Sequence, residues 1–198
     1  MRISVFGGSQ PKEGDLAYNE ALELGKLLAQ RGHIVLTGGY IGTMEAVSRG
    51  AKEAGGHVIG VMEAVSRGAK EAGGHVIGVT CEDLETWRPI KANSWVMEEI
   101  RKKTLVERLH TLIHESDAAL ALPGGPGTLA EISLMWNLMI VESLHRRPLI
   151  LIGDGWQSVF DQLFKGLDAY VPAHQREILR FAKDVQTAAG MLESNVLA

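Results

Sequence analysis

A glycine-rich stretch, "PGGPGTLAE" at positions 123–131, brings a hydroxyl and a carboxylate next to a turn that could bind an anion. Thr128 stands near the start of the helical period that follows, and Glu131 comes three residues later. Glycine lets an anion approach the backbone, and the first turn of a helix offers N–H groups without partners. The stretch therefore predicts a phosphate site with a carboxylate beside it. A structural alternative stays open, because Thr-x-x-Glu is also the pattern of a helix capping box.

Two further turns of this kind come earlier in the chain: "FGGSQP" at 6–11 and "TGGYIGT" at 37–43. We call these the first and second glycine turns, and residues 123–128 the third. A single turn is equally well explained by a strand entering a helix, whereas three together favour a phosphate site. The candidate ligand-binding residues in them are Gly8, Ser9, Gly38, Gly39, Gly42, Thr43, Met44, Gly124, Gly125, Gly127 and Thr128.

The elements that must position these turns alternate short apolar runs with longer amphipathic stretches. Strands are predicted at 2–7, 33–37, 57–61, 75–79, 118–122, 148–152 and 178–182. Helices are predicted at 15–31, 43–54, 97–115, 128–144, 156–167 and 184–195. This alternation predicts an α/β fold, a Rossmann-like, doubly wound parallel sheet with helices on both faces. Parallel sheets bind ligands at the carboxyl ends of their strands, where the three turns are expected to meet.

The size and charge of the chain exclude several function classes. A length of 198 residues suits one core, so we expect a single domain over residues 1–198. A net charge of -4 disfavours nucleic acid as a partner. No stretch approaches the roughly 20 apolar residues of a membrane span, and "MRISVFGGS" lacks a signal-peptide pattern, so we expect a cytoplasmic protein without membrane contact. The lone Cys81 allows no internal disulfide.

Other residue patterns carry less chemistry. No P-loop lysine motif and no G-x-G-x-x-G with a following acidic residue is present, which argues against ATP hydrolysis and NAD binding. His110 and His114 have the i, i+4 spacing of metal ligands, but position 111 is not the glutamate of a zinc protease. We therefore expect no metal and no cofactor. In "MEEIRKKTLVER" (97–108), Glu98 with Lys102 and Glu99 with Lys103 predict a solvated helix face.

An 18-residue segment, "MEAVSRGAKEAGGHVIGV", occurs at 44–61 and again, letter for letter, at 62–79. No residue separates Val61 from Met62, whereas a strand-to-helix connection normally takes about 2 to 6 residues. The two copies therefore compete for one helix and one strand. We expect the first copy to form the helix after the second glycine turn, and residues 62–79 to be an insertion leaving the strand at 57–61.

The motif "PGGPGTLAE" resembles the PGGxGTxxE signature of the LOG family, the cytokinin riboside 5'-monophosphate phosphoribohydrolases, long described as lysine decarboxylases. Three other stretches, "ISVFGGSQ", "GGYIGTMEAV" and "GGHVIGV", are similar to the family's first strand and turn, its GGGxxGLM segment and its next strand. Arg108 stands where the family carries its catalytic arginine. The chain departs from the family at Leu109, usually lysine, and at Pro126, commonly tyrosine.

The resemblance implies hydrolysis of a nucleoside 5'-monophosphate, of the cytokinin riboside monophosphate or AMP type, to a free base and ribose 5-phosphate. Arg108 and Glu131 are then the catalytic pair, since a carboxylate stabilises an oxocarbenium-like sugar or activates water and arginine pairs with anions. It also implies a homodimer, with the apolar run "LMWNLM" (134–139) in core and dimer contacts. The alternative is a non-catalytic nucleotide-binding protein or molybdenum-cofactor carrier, because such related proteins share the glycine turns.

Overall fold

A computed structural model describes residues 1–55, 76–89, 91–96 and 98–193. Within these ranges, seven strands form one sheet in the order β4-β3-β2-β1-β5-β6-β7, and all neighbouring strands are parallel. This confirms the predicted α/β, doubly wound fold. The strands are β1 (Arg2–Phe6), β2 (Ile34–Thr37), β3 (Val76–Cys81), β4 (Glu98–Lys102), β5 (Ala118–Ala121), β6 (Leu149–Ile152) and β7 (Leu179–Ala182).

Helices cover both faces of the sheet. They are α1 (Leu16–Gln30), α2 (Thr43–Glu53), α3 (Glu82–Trp87), α4 (Leu105–His114), α5 (Pro126–Ile140), α6 (Asp154–Gly166), α7 (Ala173–Arg176) and α8 (Val185–Glu193), with a 3-10 turn at Asp168–Tyr170. One apolar cluster joins the sheet to α1, α2 and α8, and a second joins it to α4, α5 and α6. In β5, Ala118 and Leu120 face the first cluster while Ala119 and Ala121 face the second. Burial on both faces explains why the strands read as continuous apolar runs.

The helix predicted at 97–115 is wrong in its first part. Residues Glu98–Lys102 form β4, an edge strand paired with β3, and α4 begins only at Leu105. The acid–base spacing of four that suggests a helix also suits an edge strand, where charged side chains discourage pairing with other chains. The Thr80 hydroxyl, on the neighbouring strand, donates a hydrogen bond to the Glu99 carboxylate. Helix α4 starts where it does because Thr104 and Glu107 form a capping box.

Within the described residues, the repeated segment contributes one helix and one strand. Helix α2 comes from the first copy, as predicted, but the strand beside β2 is β3, which ends the second copy and continues through Thr80 and Cys81. The prediction that all of 62–79 is an insertion is therefore wrong for its last residues. The strand predicted at 57–61 lies outside the described residues.

Residues flanking the repeat explain why α2 comes from the first copy and β3 from the second. Helix α2 begins at Thr43, one residue before the first copy, so only that copy continues the second glycine turn. Thr80 and Cys81 are fully buried, and only the second copy runs into them. The first copy runs instead into Met62 and Glu63, which would put a carboxylate in the place of buried Cys81. In the described part of the chain, no helix has the length and apolar character to cross a membrane.

Candidate active site at the carboxyl edge of the sheet

The three glycine turns meet at the carboxyl ends of β1, β2 and β5. The strand order reverses between β1 and β5, which is the position where doubly wound sheets bind ligands. The Gly8 N–H donates to the Pro123 carbonyl at 3.2 Å, and the Gly8 carbonyl accepts from the Thr43 N–H at 3.0 Å and its hydroxyl at 2.9 Å. The first turn, which also contains half-buried Ser9, thus ties the other two turns together.

The glycines of the second glycine turn are buried. Gly38 and Gly39 lie in the interior, and a β-carbon on Gly38 would overlap both the Arg108 guanidinium and the Met44 sulfur. Gly42 has a φ of +78°, and a β-carbon there would lie 2.6 Å from the Gly8 carbonyl oxygen. These glycines allow parts of the protein itself to pack closely. Of the predicted binding residues in this turn, Thr43 is also buried and Met44 is half-buried.

The third glycine turn is exposed from Pro123 to Gly127. A β-carbon on Gly125 or Gly127 would meet nothing within 4 Å. Helix α5 begins at Pro126, with Gly125 as its N-cap residue and no side-chain cap. The N–H groups of Gly127 and Thr128 thus lie in the first turn of a helix, where backbone donors have no intrahelical partner. Gly127 is exposed, whereas Thr128 is only 3% exposed just beneath it.

Helix α5 also decides the role of Glu131. Because the helix begins at Pro126, Glu131 lies in its second turn, and the capping-box alternative is wrong. The Thr128 hydroxyl faces the glycine turn instead, since a β-carbon on Gly124 would overlap it. Glu131 faces inward and is only 8% exposed.

Arg108 and Glu131 are brought together from α4 and α5. Arg108 Nη1 lies 3.5 Å from Glu131 Oε1, and Arg108 is 4% exposed. The Arg108 Nε donates to the Val79 carbonyl at 2.7 Å, and its guanidinium carbon lies 5.8 Å from the centre of the Tyr40 ring. The pair therefore lies beneath the glycine turns, largely shielded from water.

Burial raises the pKa of Glu131 to about 7, against the opposing effect of the Arg108 charge. A carboxyl group that titrates near neutrality can hold or release a proton at physiological pH, a property common in active sites. Its ionised form also places negative charge in a site of low polarity, where it acts strongly on a developing positive charge. The site can thus support either acid–base or electrostatic catalysis.

Three residues near the site were missed by sequence reasoning. Tyr40 is 2% exposed beside Arg108, and the Asn93 side chain donates to the carbonyls of Gly39 at 3.0 Å and Tyr40 at 2.6 Å.

The third residue, Arg88, lines a cavity of about 320 Å³ with Ser9, Gln10, Ile41 and Gly42, among others. Asn93 and Arg88 stand in a loop without any motif, so no local pattern signals them. Tyr40 lies in a quoted motif, but nothing local indicates its contact with Arg108.

The histidine pair lies on the surface of α4. The rings of His110 and His114 stack at 4.0 Å on exposed positions of α4. Over the residues that the structure describes, no three His, Cys, Asp or Glu side chains gather where they could hold a metal ion.

Comparison with known proteins relates this chain to two family descriptions and to named plant proteins. The family described as "Possible lysine decarboxylase" matches residues 62–192, and the "SLOG cluster4 family" matches residues 1–62. The chain is 30% identical over 204 residues to probable cytokinin riboside 5'-monophosphate phosphoribohydrolase LOGL9 of Oryza sativa subsp. japonica, covering 98% of this chain and 78% of that protein. It is 32% identical over 175 residues to the homologous LOGL5 of the same plant, covering 86% of this chain and 60% of LOGL5.

A solved structure shares the fold. The molybdenum cofactor binding protein of the phototrophic bacterium Rippkaea orientalis matches 98% of this chain and 96% of its own, with a TM-score of 0.68 and 24% identity. At that identity the likeness concerns the fold alone. The matched family, the sequence relatives and the motif "PGGPGTLAE" at the switch point agree with one another, and this chain belongs to the LOG family of cytokinin riboside 5'-monophosphate phosphoribohydrolases.

Proposed function

We propose that this chain hydrolyses the N-glycosidic bond of a nucleoside 5'-monophosphate, of the AMP or cytokinin riboside monophosphate type, to the free base and ribose 5-phosphate. The proposal rests on one observation: a buried Arg108–Glu131 pair lies under an exposed, glycine-rich helix start. Membership of a phosphoribohydrolase family supports the same reaction class.

The third glycine turn is the proposed phosphate site. Its N–H groups at Gly127 and Thr128 lie in the first turn of α5, where the helix dipole favours an anion. The Thr128 hydroxyl is a further donor, and Gly8 and Ser9 form the neighbouring wall. Binding energy gained at the phosphate, away from the reacting bond, holds the sugar in place for the reaction.

Glu131 and Arg108 are the proposed catalytic residues. The bond between C1' and the base nitrogen breaks, its electron pair leaves with the base, and the sugar becomes an oxocarbenium-like cation. Ionised Glu131 stabilises this cation and accepts a proton from the water whose oxygen bonds to C1'. The departing base takes up one proton, which balances the one that water loses. Arg108 orients Glu131 and contributes positive charge near the phosphate.

The activity is tested by incubating the protein with AMP and an N6-substituted AMP and separating the products by chromatography. We expect free base and ribose 5-phosphate in equal amounts. Glu131→Gln keeps the volume but removes the charge, so turnover should fall about 1000-fold while ribose 5-phosphate still binds in isothermal titration. Arg108→Ala should weaken both turnover and binding, because it also removes positive charge from the phosphate side.

Two results would contradict the proposal. Equal loss of ribose 5-phosphate binding in both variants would make Glu131 a structural residue. Absence of base release, together with binding of a pterin-based molybdenum cofactor, would favour a carrier function. The carrier function is the second candidate because this chain shares its fold with the Rippkaea orientalis cofactor-binding protein.

The homodimer, the single domain and the cytoplasmic location stay predictions. The run at 134–139 is divided by burial: Met135, Trp136 and Met139 lie in the core, whereas Leu134 and Leu138 are half-buried. We propose that this second side of α5 contacts another copy of the chain. Analytical ultracentrifugation measures the resulting mass.

A further inference from the structure

We infer that the second glycine turn holds the Arg108 side chain instead of binding a phosphate, and that Tyr40 is the residue that positions the guanidinium. This inference rests on the proposed function, because it assigns a role within the same site. The three turns have similar sequences, but the inference gives them different roles. The second holds the arginine, and the other two are free to bind the ligand.

The Tyr40 ring is fixed from below. Its hydroxyl accepts a hydrogen bond from the Cys81 N–H at 2.9 Å and donates one to the Cys81 carbonyl at 3.2 Å. Both partners are main-chain groups of β3, so the hydroxyl is tied to the sheet itself. The backbone of the turn is fixed from its other side by the Asn93 side chain, which donates to the Gly39 and Tyr40 carbonyls. A side chain held at both ends forms a rigid surface.

The Arg108 guanidinium rests on this surface. Its carbon lies 5.8 Å from the centre of the Tyr40 ring, within the range of a cation–π interaction, which is strongest where water is excluded. Its Nε is held by the Val79 carbonyl at 2.7 Å, and Gly38 supplies the space that a β-carbon would fill. These contacts leave Nη1 directed at Glu131, 3.5 Å away.

The geometry has a chemical consequence for Glu131. Arg108 is the charged residue whose proximity lowers the pKa of Glu131, while burial raises it. If the guanidinium moves away from Glu131, burial acts with less opposition and the pKa rises further. Tyr40 therefore acts on the carboxyl through Arg108 without touching it.

Three variants test separately how the Tyr40 ring, the Tyr40 hydroxyl and the space at Gly38 position the Arg108 guanidinium. Tyr40→Leu removes the ring and should lower kcat about 30-fold with KM changed less than about threefold. Tyr40→Phe keeps the ring but loses both hydrogen bonds to Cys81, so its kcat should fall less than that of Tyr40→Leu. Gly38→Ala fills the place of the guanidinium and should act in the same direction as Tyr40→Leu.

The decisive measurement needs no substrate. Proteins labelled with ¹³C at the glutamate side-chain carboxyl carbon are titrated by NMR, and Glu131→Gln identifies the signal. We expect the Glu131 midpoint to rise in Tyr40→Leu and in Gly38→Ala relative to the wild type. Tyr18→Leu is the matched control, because Tyr18 is 3% exposed and its hydroxyl contacts Arg49 rather than Arg108. Its Glu131 midpoint should equal that of the wild type.

The outcomes are distinguishable. An unchanged Glu131 midpoint in Tyr40→Leu, or an equal shift in Tyr18→Leu, overturns the positioning role. If Tyr40→Leu does not fold, an unchanged midpoint in Gly38→Ala overturns it instead. If the wild type releases no base while the midpoints shift as expected, the proposed function is refuted. The positioning of Arg108 by Tyr40 is then still supported.

Discussion

The second and third glycine turns have similar compositions and opposite surroundings. In the second, Gly38 and Gly39 are buried against Arg108 and β3, and Gly42 packs against the first turn. In the third, Pro123 to Gly127 are exposed, and the space beside Gly125 and Gly127 is open. Glycine in the second turn therefore allows the protein's own atoms to approach the backbone closely. In the third turn the space beside Gly125 and Gly127 is open and suited to an anion.

The largest expected effect separates the two turns by stability. Gly42→Ala forces a side chain into a backbone conformation at φ +78° and against the Gly8 carbonyl, so the free energy of unfolding should fall by about 4 kcal/mol. Gly127→Ala adds a β-carbon in open space within a helix, and stability should change by less than about 1 kcal/mol, towards greater stability. Urea denaturation measures both variants.

Ligand binding should be weakened in Gly127→Ala, even though its stability changes little. The added β-carbon stands where we expect the phosphate, so ribose 5-phosphate should bind about tenfold more weakly to Gly127→Ala in isothermal titration. A similar loss of stability in both variants, or unchanged binding by Gly127→Ala, would contradict the distinction between the turns.

The next effect tests the ionisation of Glu131, which lies beneath the glycine turns. The folded pKa of Glu131, about 7, lies above its ordinary value of 4.5, so the folded state binds more protons than the unfolded state between these values. Stability should therefore fall as pH rises from about 4.5 to about 7, by about 3 kcal/mol from this group, and then level off. Glu131→Gln lacks this dependence. Its stability relative to the wild type should rise over the same window in urea denaturation.

Glu107 provides a control of opposite sign. It is exposed, and the backbone N–H groups of Thr104 and Lys103 lower its pKa. Its contribution is thus present above its ordinary pKa and lost as pH falls through the lowered value. Glu107→Gln should therefore lose stability relative to the wild type at neutral pH and less in acid. The same trend in both variants would show that the burial of Glu131 does not control its titration.

The smallest effect concerns the segment that follows the second turn. Because the two copies are identical, deletion of residues 56–73 or of 62–79 gives the same polypeptide. The deletion shortens the connection between α2 and β3 from 22 residues to four, a usual length, and should raise stability by about 1.5 kcal/mol through loop-closure entropy. Urea denaturation and ribose 5-phosphate titration measure the result. Unfolding, or loss of binding, would show that the second turn depends on the additional copy.

Most of the sheet follows from local pattern. Six of the predicted strands agree with β1, β2, β3, β5, β6 and β7 within about two residues, because strands buried on both faces give apolar runs bounded by glycine or charged residues. The error at 97–115 arises where the pattern is ambiguous, since β4 is charged and its state depends on pairing with β3. Pairing joins Ile77 to Glu98 and Cys81 to Lys102, contacts that the local sequence does not contain.

The sequence by itself determined the α/β class, the glycine turns and, through family resemblance, the choice of Arg108 and Glu131. These features depend on residues near one another in the chain, or on a short motif. Only the tertiary structure decided that these two residues face each other at 3.5 Å, that Tyr40 lies under the arginine, and that β3 comes from the end of the second copy. The physical reason is burial, which depends on residues brought together from distant parts of the chain.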